Sequence, residues 1–363
     1  MKKILPIILS FIYFNVSHAN SWEYNYSITA NSFYGYTDYN TQKKYNHNKV
    51  IASAEIYTDV RYSFSDDTYV LLGLDAQISG AKEIEDYNHG EWGENIYLSF
   101  NSTFGEFSLG QLYNAAYQMA VGAPNVGYFR INNSPVADFI INPNWQQNSN
   151  NTSFKTLNST FLNTDGEAFK FIYTSPEYKG TKLSASYTPD NYSQSGLINK
   201  HTKYDNKSSY AVGLYNLTNI ANYEIETSLG YAYNHKNNQE ISAGFNVYYK
   251  GWTLGSSYRQ TFTSSNDYAF NENIPYLSDA YRKGEAFNVG IKYEFGPLET
   301  GISYFSSHSD ISDNRDNVLT WSNKFAFHKY VSLYFVSAYA KYRDEYRNND
   351  EGYAFISGLE INI

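Results

Sequence analysis

The sequence predicts an all-β protein, a 16-stranded antiparallel transmembrane β-barrel with a long inward-folded loop between its fifth and sixth strands. Three observations lead there. Period-two alternation recurs from residue 22 to the last residue. Short and long connections take turns along the chain, and the alternating rows separate into a charged set and a charge-free set. Residues 50–64, VIASAEIYTDVRYSF, show the pattern. Val50, Ala52, Ala54, Ile56, Thr58, Val60, Tyr62 and Phe64 form one row; Ile51, Ser53, Glu55, Tyr57, Asp59, Arg61 and Ser63 form the other. Successive side chains of a strand point to opposite faces, so this period marks a strand with two unlike environments.

The first 19 residues are set apart from the fold. Lys2 and Lys3 give a basic start, Ile4 to Val16 is apolar, and Ser17-His18-Ala19 offers a small-x-small cleavage site. That combination is a secretory signal ending at Ala19, and it is too short for a membrane anchor, which needs ~20 apolar residues. The mature barrel is expected over 20–363.

Composition narrows the function. There is no cysteine, which removes disulfides, thiolate nucleophiles and cysteine-bound metal. Without Lys2 and Lys3, 25 of the 27 basic side chains remain against 36 acidic ones, a balance of −11. Nucleic acid is therefore not an expected partner, because phosphate binding wants a basic footprint. Mean hydropathy is negative, and the longest uncharged stretch, Phe107 to Phe129, holds Gln111, Asn114, Gln118, Pro124 and Asn125. No segment reads as a membrane helix. Yet 39 Tyr, 23 Phe and 5 Trp load this polar chain with rings, which suits the aromatic rims of a membrane barrel.

Sixteen alternating segments follow in order: 22–37, 49–64, 68–79, 92–101, 106–113, 167–174, 181–188, 209–218, 223–234, 239–249, 252–263, 285–295, 298–307, 318–327, 330–343 and 352–363. Val70, Leu72, Leu74, Ala76 and Ile78 make the greasy row of the third. Ile241, Ala243, Phe245, Val247 and Tyr249 make that of the tenth. No helical period holds over a useful window. An even count is what a closed antiparallel barrel needs.

The links sort by length. Ser65-Asp66-Asp67, Asn219 to Asn222, Lys250-Gly251, Gly296-Pro297 and His328-Lys329 are short; 38–48, 80–91, 189–208, 264–284, 308–317 and 344–351 are long and polar. Tight turns on one rim and loops on the other is the outer-membrane arrangement. Charged groups on the lipid face cost ~2–4 kcal/mol each at the midplane, so the row of Glu55, Asp59 and Arg61 is assigned to the interior.

One link breaks the pattern. Residues 114–166 form a connection far longer than a barrel loop requires, and lengths of this kind are usually functional or disordered. Met119, Val121, Val126, Phe129, Ile131, Val136, Phe139, Ile140, Ile141 and Trp145 give it much to bury. The inner wall is the surface at hand, which makes 114–166 an expected constriction; an exposed lobe is the alternative.

Three stretches resemble a known family. Phe171 to Gly180, FIYTSPEYKG, followed by Leu183-Ser184-Ala185-Ser186-Tyr187, is similar to a strand, Ser-Pro-Glu turn and strand of the trimeric general-diffusion porins of Gram-negative outer membranes. Phe104 to Gly110 resembles the turn and strand leading into their constriction loop. Tyr353 to Ile363 resembles their terminal assembly signal. Two positions depart: Gln111 stands where such porins often carry arginine, and Ile363 replaces the usual terminal phenylalanine. The resemblance implies a homotrimer in the outer membrane, with membrane lipid and lipopolysaccharide around it and the barrel-assembly machinery as partner during biogenesis. The turn also has a purely structural explanation, since Pro176 lacks an N–H and Gly180 tolerates tight reversals.

No catalytic or metal constellation emerges, and no cofactor is expected. The mature histidines, His47, His89, His201, His235, His308 and His328, fall in expected loops or turns. The acidic clusters Glu83-Glu85-Asp86 and Asp310-Asp313-Asp316 read as solvated loop faces, with divalent-cation binding as the rival. The site is instead the channel wall, where charge sets ion selectivity. Expected pore-lining residues are Glu55, Asp59, Arg61, Asp75, Lys170, Glu226, Arg259 and Lys292 on the wall and Asp138 on the long loop. The resulting expectation is a porin for passive diffusion of ions and small hydrophilic solutes with mild cation preference. The alternatives are a substrate-selective channel, for example for sugars, recognised by an aromatic track along Tyr57, Tyr69, Tyr97 and Tyr248, or an outer-membrane barrel hydrolase or adhesin.

Overall fold

A computed structural model describes residues 21–39, 47–81, 95–126, 156–157, 159–162, 165–166, 168–190, 208–234, 238–262, 284–310, 313–343 and 350–363. Sixteen strands fill most of this: β1 (Trp22–Tyr39), β2 (Asn48–Ser65), β3 (Thr68–Ala81), β4 (Asn95–Ser102), β5 (Gly105–Gln111), β6 (Phe169–Thr174), β7 (Thr181–Thr188), β8 (Ser209–Ile220), β9 (Tyr223–Asn234), β10 (Asn238–Tyr249), β11 (Trp252–Phe262), β12 (Gly284–Phe295), β13 (Leu298–Ser309), β14 (Arg315–His328), β15 (Val331–Arg343) and β16 (Asp350–Asn362). Each pairs antiparallel with its sequence neighbours, and β16 pairs with β1, so the sheet closes on itself. Closure removes every free edge, which a strand in hydrocarbon requires because nothing there can satisfy an unpaired N–H. Ile363 completes the seam: its N–H donates to the Ile28 carbonyl and the Ile28 N–H donates to the Ile363 carbonyl, both at 2.9 Å.

The two rows of each strand divide as the sequence predicts. On β2, Val50 and Phe64 are 55% and 60% exposed, while Ile51 and Asp59 on the other row are 8% and 4% exposed. Leu72, Leu98, Leu183, Leu229, Leu254, Ile302 and Leu333 continue an exposed apolar belt around the outside. Aromatic rings gather where the belt meets the short-turn rim. Trp22 lies 4.8 Å from Tyr62, Phe107 lies 4.8 Å from Tyr173, Tyr223 stacks on Tyr249 at 4.7 Å, and Trp252 lies 4.4 Å from Tyr293. Such rings place an apolar body in acyl chains and a polar edge in the headgroups.

The short turns are built by local chemistry. Lys250 and Gly251 both have positive φ, 47° and 83°, the backbone twist favoured in two-residue hairpins. In the Ser-Pro-Glu turn, Ser175 Oγ accepts from Leu183 N at 3.0 Å, and Tyr178 and Thr181 exchange backbone bonds of 2.9 and 3.0 Å. Gly180 turns the chain at φ 79°, and any side chain there would strike the Leu217 carbonyl.

Three residues sit differently from expectation. His308 lies on β13, His328 closes β14, and β14 starts at Arg315, which puts Asp316 on a strand instead of in an acidic loop. Strand pairing outlasts the apolar alternation at the upper rim, since Arg315 still pairs with His308 and with Arg343. The hydrogen-bond ladder needs neighbours, not grease. Asp313 pairs with Arg315 at 3.6 Å and also with Arg343, while Glu83, Glu85 and Asp86 lie outside the described residues. Among the described residues no group of acidic and histidine side chains is arranged to hold a metal ion.

Candidate functional site: the channel wall and the long loop

The link from β5 to β6 is described at its two limbs, 112–126 and, with gaps, 156–168; residues between them, Asp138 included, lie outside the described residues. The outgoing limb starts with one helical turn, α1 (Ala115–Gln118), whose cap is Asn114: its Oδ1 accepts from Tyr117 N at 2.9 Å. From there the limb crosses the wall strand by strand. Ala115 N donates to Ser186 Oγ on β7 (3.1 Å), Val121 N to Ser228 Oγ on β9 (2.8 Å) and Ala123 N to Asn288 Oδ1 on β12 (3.3 Å). The returning limb runs beside it. Thr156 bonds to Asp316 on β14, Thr160 Oγ1 lies 2.6 Å from Ser257 Oγ on β11, and Leu162 packs with Ala116, Ala211 and Ala232. All of these wall residues belong to the row opposite the exposed apolar belt.

A buried polar knot ties the roots of the two limbs together. Lys170 on β6 has no exposed surface. Its ammonium donates to the carbonyls of Leu112 (2.5 Å), Gly166 (2.9 Å) and Ala168 (2.8 Å) and lies 3.7 Å from Asp165 Oδ2. Asp165 accepts in turn from Asn114 Nδ2 at 2.8 Å and Thr188 Oγ1 at 2.5 Å, and Asn114 Nδ2 also reaches the Leu162 carbonyl at 2.9 Å. A buried charge is tolerated only when paired and fully hydrogen-bonded. Lys170, expected on the pore wall, thus faces inward but acts within the loop's foundation.

Arg259 is similar. It is fully buried and grips Glu240, with Nη2 2.7 Å and Nε 2.9 Å from Glu240 Oε2, while Nη1 donates to the Ser159 carbonyl of the returning limb at 3.4 Å. The remaining expected wall residues lie on the inward rows of their strands, Asp59 among them buried. Arg61 lies 3.6 Å from Glu23, lays its guanidinium 3.8 Å above the Tyr69 ring and donates to Ser63 Oγ at 3.1 Å. Asp59 accepts from Asn25 Nδ2 at 3.1 Å. Asp75 sits between Tyr57 and Asn95 in the register of β2, β3 and β4, and Glu55 is exposed on the inward row of β2. Glu226 accepts from Tyr215 (2.9 Å), Tyr248 (2.7 Å) and Asn246 (3.1 Å). Lys292 lies 2.5 Å from Glu294.

Sequence reasoning missed Lys182, Lys324 and Glu360. Lys182 faces Glu177 at 3.5 Å, and Lys324 faces Glu360 at 3.2 Å. A charge relationship links them to the rest: Arg61, Lys170, Lys182, Arg259, Lys292 and Lys324 each lie 2.5–3.7 Å from a carboxylate. Asp59, Asp75, Glu106, Glu226 and Glu299 occupy the same inward rows outside those pairs. Parity along each strand was the signal that finds all of them. Asn114 and Asp165 had no such signal, because their roles depend on how the long link lies; Glu240 shares the parity signal, on the inward row of β10.

A description of Gram-negative porins matches residues 15–345. The chain belongs to the Gram-negative porin family. It is therefore an outer-membrane channel, and its family and fold are those of a non-enzymatic pore. No curated protein matches it in sequence. Among solved structures, the barrel is similar to an anion-selective porin from Comamonas acidovorans, with TM-score 0.61 and 13% identity over 94% of this chain and 100% of that one. It is also similar to the outer-membrane channel DcaP of Acinetobacter baumannii, with TM-score 0.60 and 13% identity over 96% and 100%. The trimer form of Vibrio cholerae OmpT gives 0.58 and 11% over 95% and 100%. At these identities the likeness is one of fold.

Proposed function

We propose that this porin is a passive diffusion channel for ions and small hydrophilic solutes with mild cation preference. The observation that carries the reading is the charge bookkeeping of the lumen: the described inward bases named above each stand against a carboxylate, while further carboxylates share those rows. Opposite charges at such range largely cancel at a distance, leaving the surplus acidic field for a passing ion. Relatedness in fold to an anion-selective porin does not bear on this, because selectivity resides in side chains and not in the barrel.

Residues 114–166 act as the constriction; the wall contacts of its two described limbs support a solute path on the side of β2 to β4. The mature protein starts after Ala19 and assembles as a homotrimer in lipid and lipopolysaccharide after insertion by the barrel-assembly machinery. A trimeric neighbour is consistent with that assembly.

Reconstitution into planar bilayers under a potassium chloride gradient tests the preference. A reversal potential on the cation side is expected; one on the anion side refutes it. Deleting residues 114–150 tests the constriction separately, with higher single-channel conductance expected and an unchanged value contradicting it.

A sugar-selective reading has its own support. Tyr113 stacks on Tyr117 at 4.1 Å with Phe161 edge-on at 5.3 Å, and the Tyr57 and Tyr97 hydroxyls lie 3.3 Å apart. Rings of this kind bind the apolar faces of sugars. Conductance that saturates on adding sugar favours this alternative; linear behaviour favours simple diffusion.

A further inference from the structure

The inner wall beneath the outgoing limb is not merely polar; it has been emptied. Gly213 on β8, Gly230 on β9, Gly244 on β10, Gly290 on β12 and Gly301 on β13 all face inward under the loop. None has the positive φ that calls for glycine, so the requirement is for space. A Cβ at Gly213 would lie 2.5 Å from the Ala115 carbonyl oxygen, and one at Gly290 would lie 2.8 Å from that of Pro124. At Gly230 it would meet Ser242 Oγ of β10 at 2.5 Å before Ala116 Cβ at 3.3 Å, at Gly301 it would lie 3.1 Å from both Val126 Cγ2 and the Ile291 carbonyl, and at Gly244 it would run into the Val121 carbonyl. The loop's own bonds to Ser186, Ser228 and Asn288 alternate with these glycines along the same course. Loop backbone therefore lies directly over the bare strand at Gly213, Gly244 and Gly290.

We propose that Gly213, Gly244 and Gly290 are positioning residues that set the width of the channel. By leaving the wall bare they let the long loop lie one side chain deeper, and the bonds flanking them keep it there as a fixed restriction. The inference rests on the reading of this loop as the constriction. A side chain at any of the three lifts the loop backbone into the lumen and narrows the path for solutes.

Single-channel recording on the full-length protein tests this with Gly244→Ala and Gly213→Ala, using Gly255→Ala as control. Gly255 also has no room for a Cβ, but its obstacles are Asn246 and the Phe245 carbonyl, which belong to the neighbouring strand. The two loop-facing variants are expected to lose roughly a quarter of the wild-type conductance, since pore bore governs current, while Gly255→Ala keeps it. Equal conductance in all four proteins, or equal losses in all three variants, overturns the proposal. If deletion of 114–150 raises conductance while the glycine variants do nothing, the constriction stands and the glycine role fails.

A second measurement covers variants that do not fold. The chain has no cysteine, and the 3.3 Å from a Cβ at 230 to Ala116 Cβ is close to the ~3.5–4.5 Å span of a disulfide. The double variant Ala116→Cys with Gly230→Cys is expected to cross-link spontaneously and to conduct equally when oxidised and reduced. Failure to cross-link, or a rise in conductance on reduction, contradicts a permanently seated loop.

Discussion

Arg259 Nη2 stands 2.7 Å from Glu240 Oε2 inside the barrel, and neither side chain keeps any exposed surface. The pair spans adjacent strands diagonally, for Arg259 is in register with Ser242, two residues along β10 from Glu240. Removing one member strands the other charge away from water, so Glu240→Ala is expected to cost roughly 3–5 kcal/mol. Replacing both, as Glu240→Leu with Arg259→Met, should recover most of that loss. Denaturant unfolding in detergent, followed by the heat-dependent shift in electrophoretic mobility, measures both.

Lys170 on β6 and Lys182 on the adjacent β7 give a matched contrast, alike in chemistry but not in setting. Lys170 is buried with three carbonyls and Asp165 around its ammonium, whereas Lys182 and Glu177 are about half exposed. Lys170→Met is expected to destabilise by roughly 3–5 kcal/mol, and Lys182→Met by less than ~1 kcal/mol because exposed pairs contribute little. The same unfolding assay compares them; similar losses would contradict the buried knot at the loop's root.

The lipid belt predicts a face-dependent penalty. Leu72 is 51% exposed on the outside of β3, and its neighbour Leu71 faces inward. Leu72→Arg should cost ~2–4 kcal/mol near the bilayer midplane, while Leu71→Arg places its charge in a wet lumen and should be far milder. Folding yield into lipid vesicles across a urea series distinguishes the two.

Charge reversal at one inward-row carboxylate should move selectivity. At ~8 Å in a water-like medium a unit charge is worth about 0.5 kcal/mol, or roughly two-fold in relative permeability. Glu55→Lys changes the charge by two units, so the cation-to-anion ratio is expected to fall severalfold at low salt and less at high salt, where screening is strong. Bilayer reversal potentials at two ionic strengths check both parts.

Much of this architecture could be read from the chain because barrel strands obey a local rule. Leu72 and Asp75 fall on opposite rows by parity alone, and the lipid cost of charge says which row is outside. Strand ends were less legible: β14 extends to Arg315 because its partners continue, a fact about neighbours and not about Arg315. The fate of the inward charges was legible least. Parity puts Lys170 and Arg259 inside, but it does not say that Asp165 and Glu240 meet them there. Asp165 meets Lys170 only once a long connection has chosen its path across the wall, and Glu240 meets Arg259 diagonally across the β10–β11 register. The glycines under that path carry no signal of their own in the sequence; their role depends on the loop backbone that lies above them.

Single-cysteine labelling along β2 in lipid vesicles tests the central claim most directly, since the native chain contributes no background thiol. Cysteine replacing Glu55, Tyr57 or Arg61 should react with a charged, water-soluble thiol reagent and reduce the current, while cysteine replacing Ala54, Ile56 or Val60 should stay unreactive. Reactive positions at 54, 56 and 60, or no alternation at all, would contradict it.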